Sequence, residues 1–404
     1  MPRSRRLATI VGLFASACAA PPVTADTETG DPTQATTTAP TTAPTTEPTT
    51  APTTAPTTGP MGEPAWAQWT RHPERQFRGQ IFDGDLFLAS DPCVLKDGAT
   101  YHMFYTCVAG AAVGGLCHVQ SSDGVDWQPA ASIDPLIDGL VVRARPGEGW
   151  DENMETCAVL LEADGISLYY SGYPALDPEG QRGPAALGRL RSADGVTFAR
   201  DPDAPILEPI PGDRDGDDIF SAVMLADGDK LDAVYVGWCV DGYHDGQACT
   251  HGPAVQLLGA TRDAGGVWTR NAEPVLGPSP DPAWLQEGVA EPDLLRGPDG
   301  QYYLFVSGAL GDDEPRVTGL AVGPSPFGPW TLNPEPILQG EPGAFDACGA
   351  FAPSVLLDGD RVRMWYLGID DCAGACPGCN YAACGCEARF SIGYAEATWP
   401  LWSP

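Results

Sequence analysis

Asp91-Pro-Cys-Val-Leu followed by Tyr101-His-Met-Phe-Tyr-Thr is the first of five statements of one pattern. The others are Glu155-Thr-Cys-Ala-Val-Leu with Leu168-Tyr-Tyr-Ser-Gly, Ser221-Ala-Val-Met-Leu with Asp232-Ala-Val-Tyr-Val-Gly, Glu291-Pro-Asp-Leu-Leu with Tyr302-Tyr-Leu-Phe-Val-Ser-Gly, and Ala352-Pro-Ser-Val-Leu with Val362-Arg-Met-Trp-Tyr-Leu-Gly. Each reads as two strands joined by a turn, with β-branched and aromatic residues bounded by Gly, Asp and Pro. Most copies continue into a second half: Ser121-Ser-Asp-Gly-Val-Asp-Trp, Ser192-Ala-Asp-Gly-Val-Thr-Phe, Thr261-Arg-Asp-Ala-Gly-Gly-Val-Trp and Gly323-Pro-Ser-Pro-Phe-Gly-Pro-Trp. Four strands per unit and a period near 70 residues predict an all-β, five-bladed β-propeller with four antiparallel strands per blade, because such units bury both faces only by stacking around an axis. The aromatics that end the units, Trp127, Phe198, Trp268, Trp330 and Trp399 or Trp402, are expected between blades.

Outward from the repeats, residues 62–404 form the propeller domain and residues 1–18 an export signal. Arg3, Arg5 and Arg6 precede the apolar run Leu7 to Ala17. Ala15-Ser-Ala-Cys18 reads as a lipoprotein box with Cys18 lipidated, and Ala17-Cys-Ala19 as an ordinary signal-peptidase site. The location is then the cell envelope, by a lipid anchor, or the medium. Residues 19–61 are Thr/Pro-rich with too little apolar surface to fold. They form a disordered stalk reaching on the order of 100 Å.

A net charge of −32, from 54 acidic and 22 basic residues, opposes binding to nucleic acid or anionic lipid. Carbohydrate is the compatible partner, membrane contact is confined to the lipid, and a monomer is expected. Thirteen cysteines, Cys18 and an even dozen, point to disulfides in an oxidising compartment. Cys107 with Cys117, and Cys239 with Cys249, each flank a turn, and Cys93 and Cys157 open the first strands of adjacent blades. Cys372, Cys376, Cys379, Cys384 and Cys386 crowd one loop, with Cys348 as a sixth partner and zinc as the alternative.

Counting fourteen residues back from the aromatic of the second strand gives a common register: Asp91, Thr156, Ser221, Glu291 and Ala352. Only blades one and four carry a carboxylate there, each followed by Pro. Here the chain resembles the five-bladed glycoside hydrolases, families 43, 62 and 130 and the invertase-like families 32 and 68, most nearly family 43. The resemblance spans residues 85 to 399. It implies Asp91 as general base, Glu291 as general acid and inversion by single displacement, one carboxyl protonating the leaving oxygen and the other activating water. Glu291 would need its pKa raised by burial and by a neighbouring carboxylate.

Family 43 has a third acid at the start of blade three. The register places Ser221 there, and Asp218, three residues earlier, becomes the candidate. Glu155, Asp151 and Trp150 in blade two and Asp346 in blade five are candidate substrate contacts, and Trp284 and Phe345 are sugar platforms or core. No cofactor is required and no metal ligand set is assigned, although an acidic mouth is compatible with calcium. Phosphorolysis would need a basic cluster, for which Arg143, Arg145, Arg182 and Arg189 are the available cations. The expected function is an exported, lipid-anchored glycosidase acting on a neutral oligo- or polysaccharide. The alternative is a non-catalytic surface propeller binding glycan or protein.

Overall fold

The computed structural model describes residues 65–74, 76–77, 86–109, 113–135, 137–175, 183–240, 248–309, 315–370 and 390–404. The export signal, the stalk, Cys18 and the cysteines from 372 to 386 lie outside them. The described chain is nearly all β. Its one helical element is a 3-10 turn at Ala283–Leu285.

Two short strands come first, β1 (Ala65–Trp66) and β2 (Thr70–Arg71), and five repeats follow. The first repeat is β3 (Leu86–Asp97), β4 (Thr100–Ala109) and β5 (Val113–Ser121), with β6 (Gln128–Pro129) and β7 (Leu140–Arg143) both pairing β5. The second is β8 (Asn153–Glu162), β9 (Gly165–Tyr173), β10 (Ala186–Ser192) and β11 (Ala199–Arg200). The third is β12 (Asp218–Asp227), β13 (Lys230–Cys239), β14 (Ala254–Arg262) and β15 (Trp268–Arg270). The fourth is β16 (Ala290–Arg296), β17 (Tyr302–Ala309) and β18 (Arg316–Gly323), with β19 (Thr331–Leu332) and β20 (Leu338–Gln339) both pairing β18. The fifth is β21 (Gly349–Asp358), β22 (Arg361–Ile369) and β23 (Phe390–Thr398).

Every repeat is an antiparallel meander, as the doubled strand signals predict. The fifth takes its outer strand from the N-terminal side, since β2 pairs β23. The last strand, β24 (Trp402–Ser403), pairs β1. First strands neighbour one another in the order β3, β8, β12, β16, β21, and β21 also lies beside β3. The leading hairpins of repeats one, three and five turn on Gly98, Gly228 and Gly359, whose φ of +57, +62 and +68° suits the tight turns that match strand twist.

Aromatic packing joins the repeats. Trp127 of the first meets Trp365 of the fifth edge-on at 6.1 Å, Phe198 of the second meets Phe104 of the first at 5.6 Å, and Trp399 meets Tyr303 of the fourth at 5.1 Å. Each terminal aromatic of these three repeats therefore packs on the preceding one. Three disulfides join pairs of described cysteines: Cys93–Cys157 between β3 and β8, Cys107–Cys117 and Cys239–Cys249, with Cα separations of 5.7 to 5.9 Å.

Candidate functional site

The register that singles out Asp91, Thr156, Ser221, Glu291 and Ala352 has a physical basis. These five are the positive-φ residues other than glycine among the described residues, at +50, +54, +32, +46 and +48°. Each is the extra residue of a β-bulge, where pairing of the first strand with the second slips by one: between Ser90 and Cys93, Glu155 and Cys157, Phe220 and Ala222, Ala290 and Asp293, and Phe351 and Ser354. A left-handed residue with a side chain costs the backbone on the order of 1–3 kcal/mol. The bulge that holds it re-aims that side chain out of the ladder. Pro follows the bulged residue in repeats one, four and five, where the missing N–H is tolerated because pairing is already broken.

Hydroxyls on the second strands stitch these bulges together. Thr106 Oγ1 accepts the N–H of Thr156 at 2.9 Å and hydrogen-bonds Asp91. Ser307 Oγ accepts the N–H of Ala352 at 2.8 Å and hydrogen-bonds Glu291. Ser171 Oγ accepts the N–H of Ser221 at 3.0 Å and lies 2.8 Å from Thr156 Oγ1. Each hydroxyl thus ties the bulge of its own repeat to that of the next.

Asp91 and Glu291 are 5% and 7% exposed. Asp91 Oδ2 accepts a hydrogen bond from Ser90 Oγ at 2.8 Å, whereas Asp91 Oδ1 and Glu291 Oε2 are buried and accept none among the described residues. Burial drives the Glu291 carboxyl up to about 7; Asp91 pushes it the same way, while Arg316 and Ser307 oppose. Asp91 is also raised by burial, against the hydroxyls of Ser90 and Thr106 and the charge of Arg316. The two carboxyls therefore stand close enough to sense one another. Arg316, at the start of β18, places Nη1 3.9 Å from Glu291 Oε1 and its guanidinium 5.1 Å from the centre of the Phe351 ring. Sequence reasoning missed Arg316; its one signal was a lone cation opening the apolar run Val317-Thr-Gly-Leu-Ala-Val.

Asp218 is fully buried, and its Oδ1 accepts the backbone N–H of Ala185 at 2.7 Å, a link from the second repeat to the third. Glu155 is buried on β8, one residue before its bulge. Asp151 accepts hydrogen bonds from Arg145, Arg200 and the Tyr170 hydroxyl, and Asp346 from Arg71 and the Tyr366 hydroxyl. Asp215, which the sequence reading passed over, does the same with Arg270 and Tyr235. This recurring buried Asp–Tyr–Arg cluster ties the segment before a first strand to its sheet, so these acids are neutralised where they stand.

Trp150 lies over Gly172 and Gly188 and stacks on Tyr170 at 5.7 Å. Trp284, fully buried, covers Gly308 and Gly319, and Phe345 covers Gly368 and Gly393. A Cβ on any of these glycines would sit within 3.0 Å of the ring it faces, so each ring is packed tightly against its own repeat, with Trp150 and Phe345 half-buried. Among the described residues Arg143, Arg145 and Arg189 pair with Asp134, Asp151 and Asp201, and Arg182 lies outside the described residues. Asp217, Cys239 and Cys249 lie close together, but the disulfide removes the thiolates that a metal would need.

No family model matches the chain, and no curated protein matches it. Solved structures do. A thermostable family-43 glycoside hydrolase is 19% identical, with a TM-score of 0.52 over 81% of this chain and 97% of its own. The α-L-arabinofuranosidase PaAbf62A from Podospora anserina, in complex with cellotriose, is 14% identical, with a TM-score of 0.53 over 81% and 97%. A glycosyl hydrolase from Bacteroides ovatus is 13% identical, with a TM-score of 0.54 over 82% and 94%. At these identities the likeness is one of architecture, and the chain shares the propeller fold of these glycoside hydrolases.

Proposed function

We propose that the protein is a glycoside hydrolase that cleaves a neutral oligo- or polysaccharide by single displacement with inversion, its five repeats forming five blades around the bulged residues. The carrying observation is that two of five equivalent bulges present carboxyls, each with a buried oxygen that accepts no hydrogen bond among the described residues. A buried oxygen without a partner costs about 1–3 kcal/mol, and such groups persist where a ligand or water completes them. Glu291, held near 7, stays protonated in mildly acidic to neutral solution and donates to the glycosidic oxygen. Asp91, ionised, takes the proton of the attacking water. Inversion on this reading requires the two carboxyls to stand about 6.5–9.5 Å apart. With one carboxyl neutral and one ionised, Arg316 brings the local charge to zero, which suits an uncharged sugar.

The protein acts outside the cytoplasm on this reading, held by lipid at Cys18 or released. The three disulfides between described cysteines support an oxidising compartment. No helix among the described residues is long and apolar enough to cross a membrane.

The test is hydrolysis of a panel of aryl glycosides and polysaccharides by the full chain beside Asp91→Asn and Glu291→Gln. Loss in both variants supports the assignment, and full activity in Glu291→Gln sinks it. A second reading, a glycan-binding propeller without turnover, is favoured by Ser221 at the third bulge, where the resembled family has its third acid. Glycan binding that neither substitution alters, with no turnover on any substrate, would select it.

A further inference from the structure

Among the described residues Arg316 is the one cation whose charge reaches both carboxyls of the candidate site, and it arrives from a third direction. Asp91 stands on β3 and Glu291 on β16, while Arg316 opens β18, where it meets Gly349 of β21 in a parallel bridge. Its side chain is 13% exposed and lies against the Phe351 ring. The 3.9 Å approach to Glu291 is that of an ion pair rather than a tight bidentate fork, so the carboxyl is free to gain or lose a proton without breaking a hydrogen bond to the guanidinium. Among the ionisable groups whose charge bears on Arg316 are Glu291 from β16 and Asp91 from β3. Asp293, two residues beyond Glu291, turns instead to the backbone N–H groups of Leu294 and Val355, at 2.8 and 2.5 Å.

We propose that Arg316 is a positioning residue that holds the Asp91–Glu291 pair at one shared negative charge throughout the reaction. The proposal rests on the hydrolase reading and adds the group that follows the charge. Before the step, Asp91 is the carboxylate and Glu291 the acid. As water oxygen bonds to the anomeric carbon, Asp91 takes a water proton, the glycosidic C–O bond breaks, and Glu291 gives its proton to the leaving oxygen. The negative charge has then moved from β3 to β16. The pair still sums to one charge, and Arg316 faces both ends of that path. Where a third carboxylate beside the acid would hold its proton on by repulsion, this chain has Ser221 at the third bulge and a cation beside Glu291. Burial and Asp91 keep the acid protonated, and Arg316 limits how firmly.

The experiment is carbon-13 NMR titration of side-chain carboxyls in the full chain, with the Glu291 signal assigned by its loss in Glu291→Gln. Arg316→Gln is expected to move the Glu291 midpoint up by roughly one pH unit or more, the scale on which an opposite charge at this range acts. Arg316→Lys, which keeps the charge and is the variant to read if the glutamine form does not fold, is expected to stay within about half a unit of the wild type. A midpoint unchanged in Arg316→Gln, or raised equally by lysine and glutamine, overturns the proposal. The readout needs no substrate. A protein that hydrolyses nothing yet shows the charge-dependent shift loses the hydrolase reading and keeps the electrostatic assignment, whereas turnover with no shift does the reverse.

Discussion

The bulges of the first and fourth repeats and those of the third and fifth share one backbone and differ in chemistry. Asp91 and Glu291 occupy the former, Ser221 and Ala352 the latter, at similar positive φ and with the same one-residue slip. Had the strain been made for catalysis, the chemically silent copies would have relaxed to ordinary strand. They have not, so the bulge belongs to the repeat and the reaction borrows it. The hydroxyls of Thr106, Ser171 and Ser307 make the same point, for each holds the N–H of a bulge that carries no carboxyl, Thr156, Ser221 or Ala352, and only Thr106 and Ser307 also touch a carboxyl.

The comparison breaks most visibly at the carboxyls. Glu291→Gln and Asp91→Asn are each expected to lower kcat by about 10²–10⁴-fold with thermal unfolding still cooperative, whereas Ser221→Ala should leave kcat within a few-fold. Equal losses at all three positions would mean that the bulges matter only as structure.

The next effect concerns what holds the first two bulges beside one another. Removing Cys93–Cys157, which closes 64 residues, should destabilise the fold by about 4 kcal/mol, against about 3 kcal/mol for Cys239–Cys249, which closes 10, in denaturant titrations. The order of the two values is the sharper prediction.

Glu291 should also record its function as a stability cost. Its carboxyl titrates near 7 when folded and at an ordinary 4.5 when unfolded, so between these values the folded state binds more protons and stability falls as pH rises. The cost is complete above about pH 7 and amounts to about 3 kcal/mol. Glu291→Gln should therefore unfold at a higher temperature than wild type at pH 8 and at a similar one near pH 4. The matching change at a silent bulge, Ser221→Ala, should show no such pH dependence.

Thr106→Val should cost about 1–3 kcal/mol in the same titrations, because it orphans the buried N–H of Thr156. The third repeat tests the converse, since Val236 already occupies the corresponding place opposite Phe220. The smallest effect is expected for Ala352→Gly. Relief of the left-handed strain and the greater freedom of the unfolded chain nearly cancel, leaving a change within about 1 kcal/mol.

Much of this was legible in the residues. Alternating strands and paired Gly turns set the repeat, and a fixed count from the second-strand aromatic found all five bulges. In the fourth repeat the count reached Glu291 from Phe305, although Val306, beside Ser307, holds the place that Tyr105 holds beside Thr106; a longer turn between Arg296 and Tyr302 makes up the difference. What misled was the acidic segment before each first strand. Asp151 and Asp346 looked like rim residues because a carboxylate followed by a strand is a reasonable place for substrate, yet their partners Arg200 and Arg71 come from distant stretches of chain. The packing of Trp150, Trp284 and Phe345 was hidden in the same way, since the glycines beneath them lie on other strands.

The chain by itself determined the strand pattern, the position of each bulge and the cysteines that face one another across short turns, because hydrogen-bond periodicity and turn chemistry act over a few residues. The tertiary structure alone decided that Arg316 meets Glu291, that the charges of Asp91 and Arg316 both act on Glu291, and that Asp151 is paired with Arg200. Those outcomes depend on burial and on charges drawn together from separate repeats, and a carboxyl's pKa is set by what surrounds it in space rather than by what precedes it in the chain.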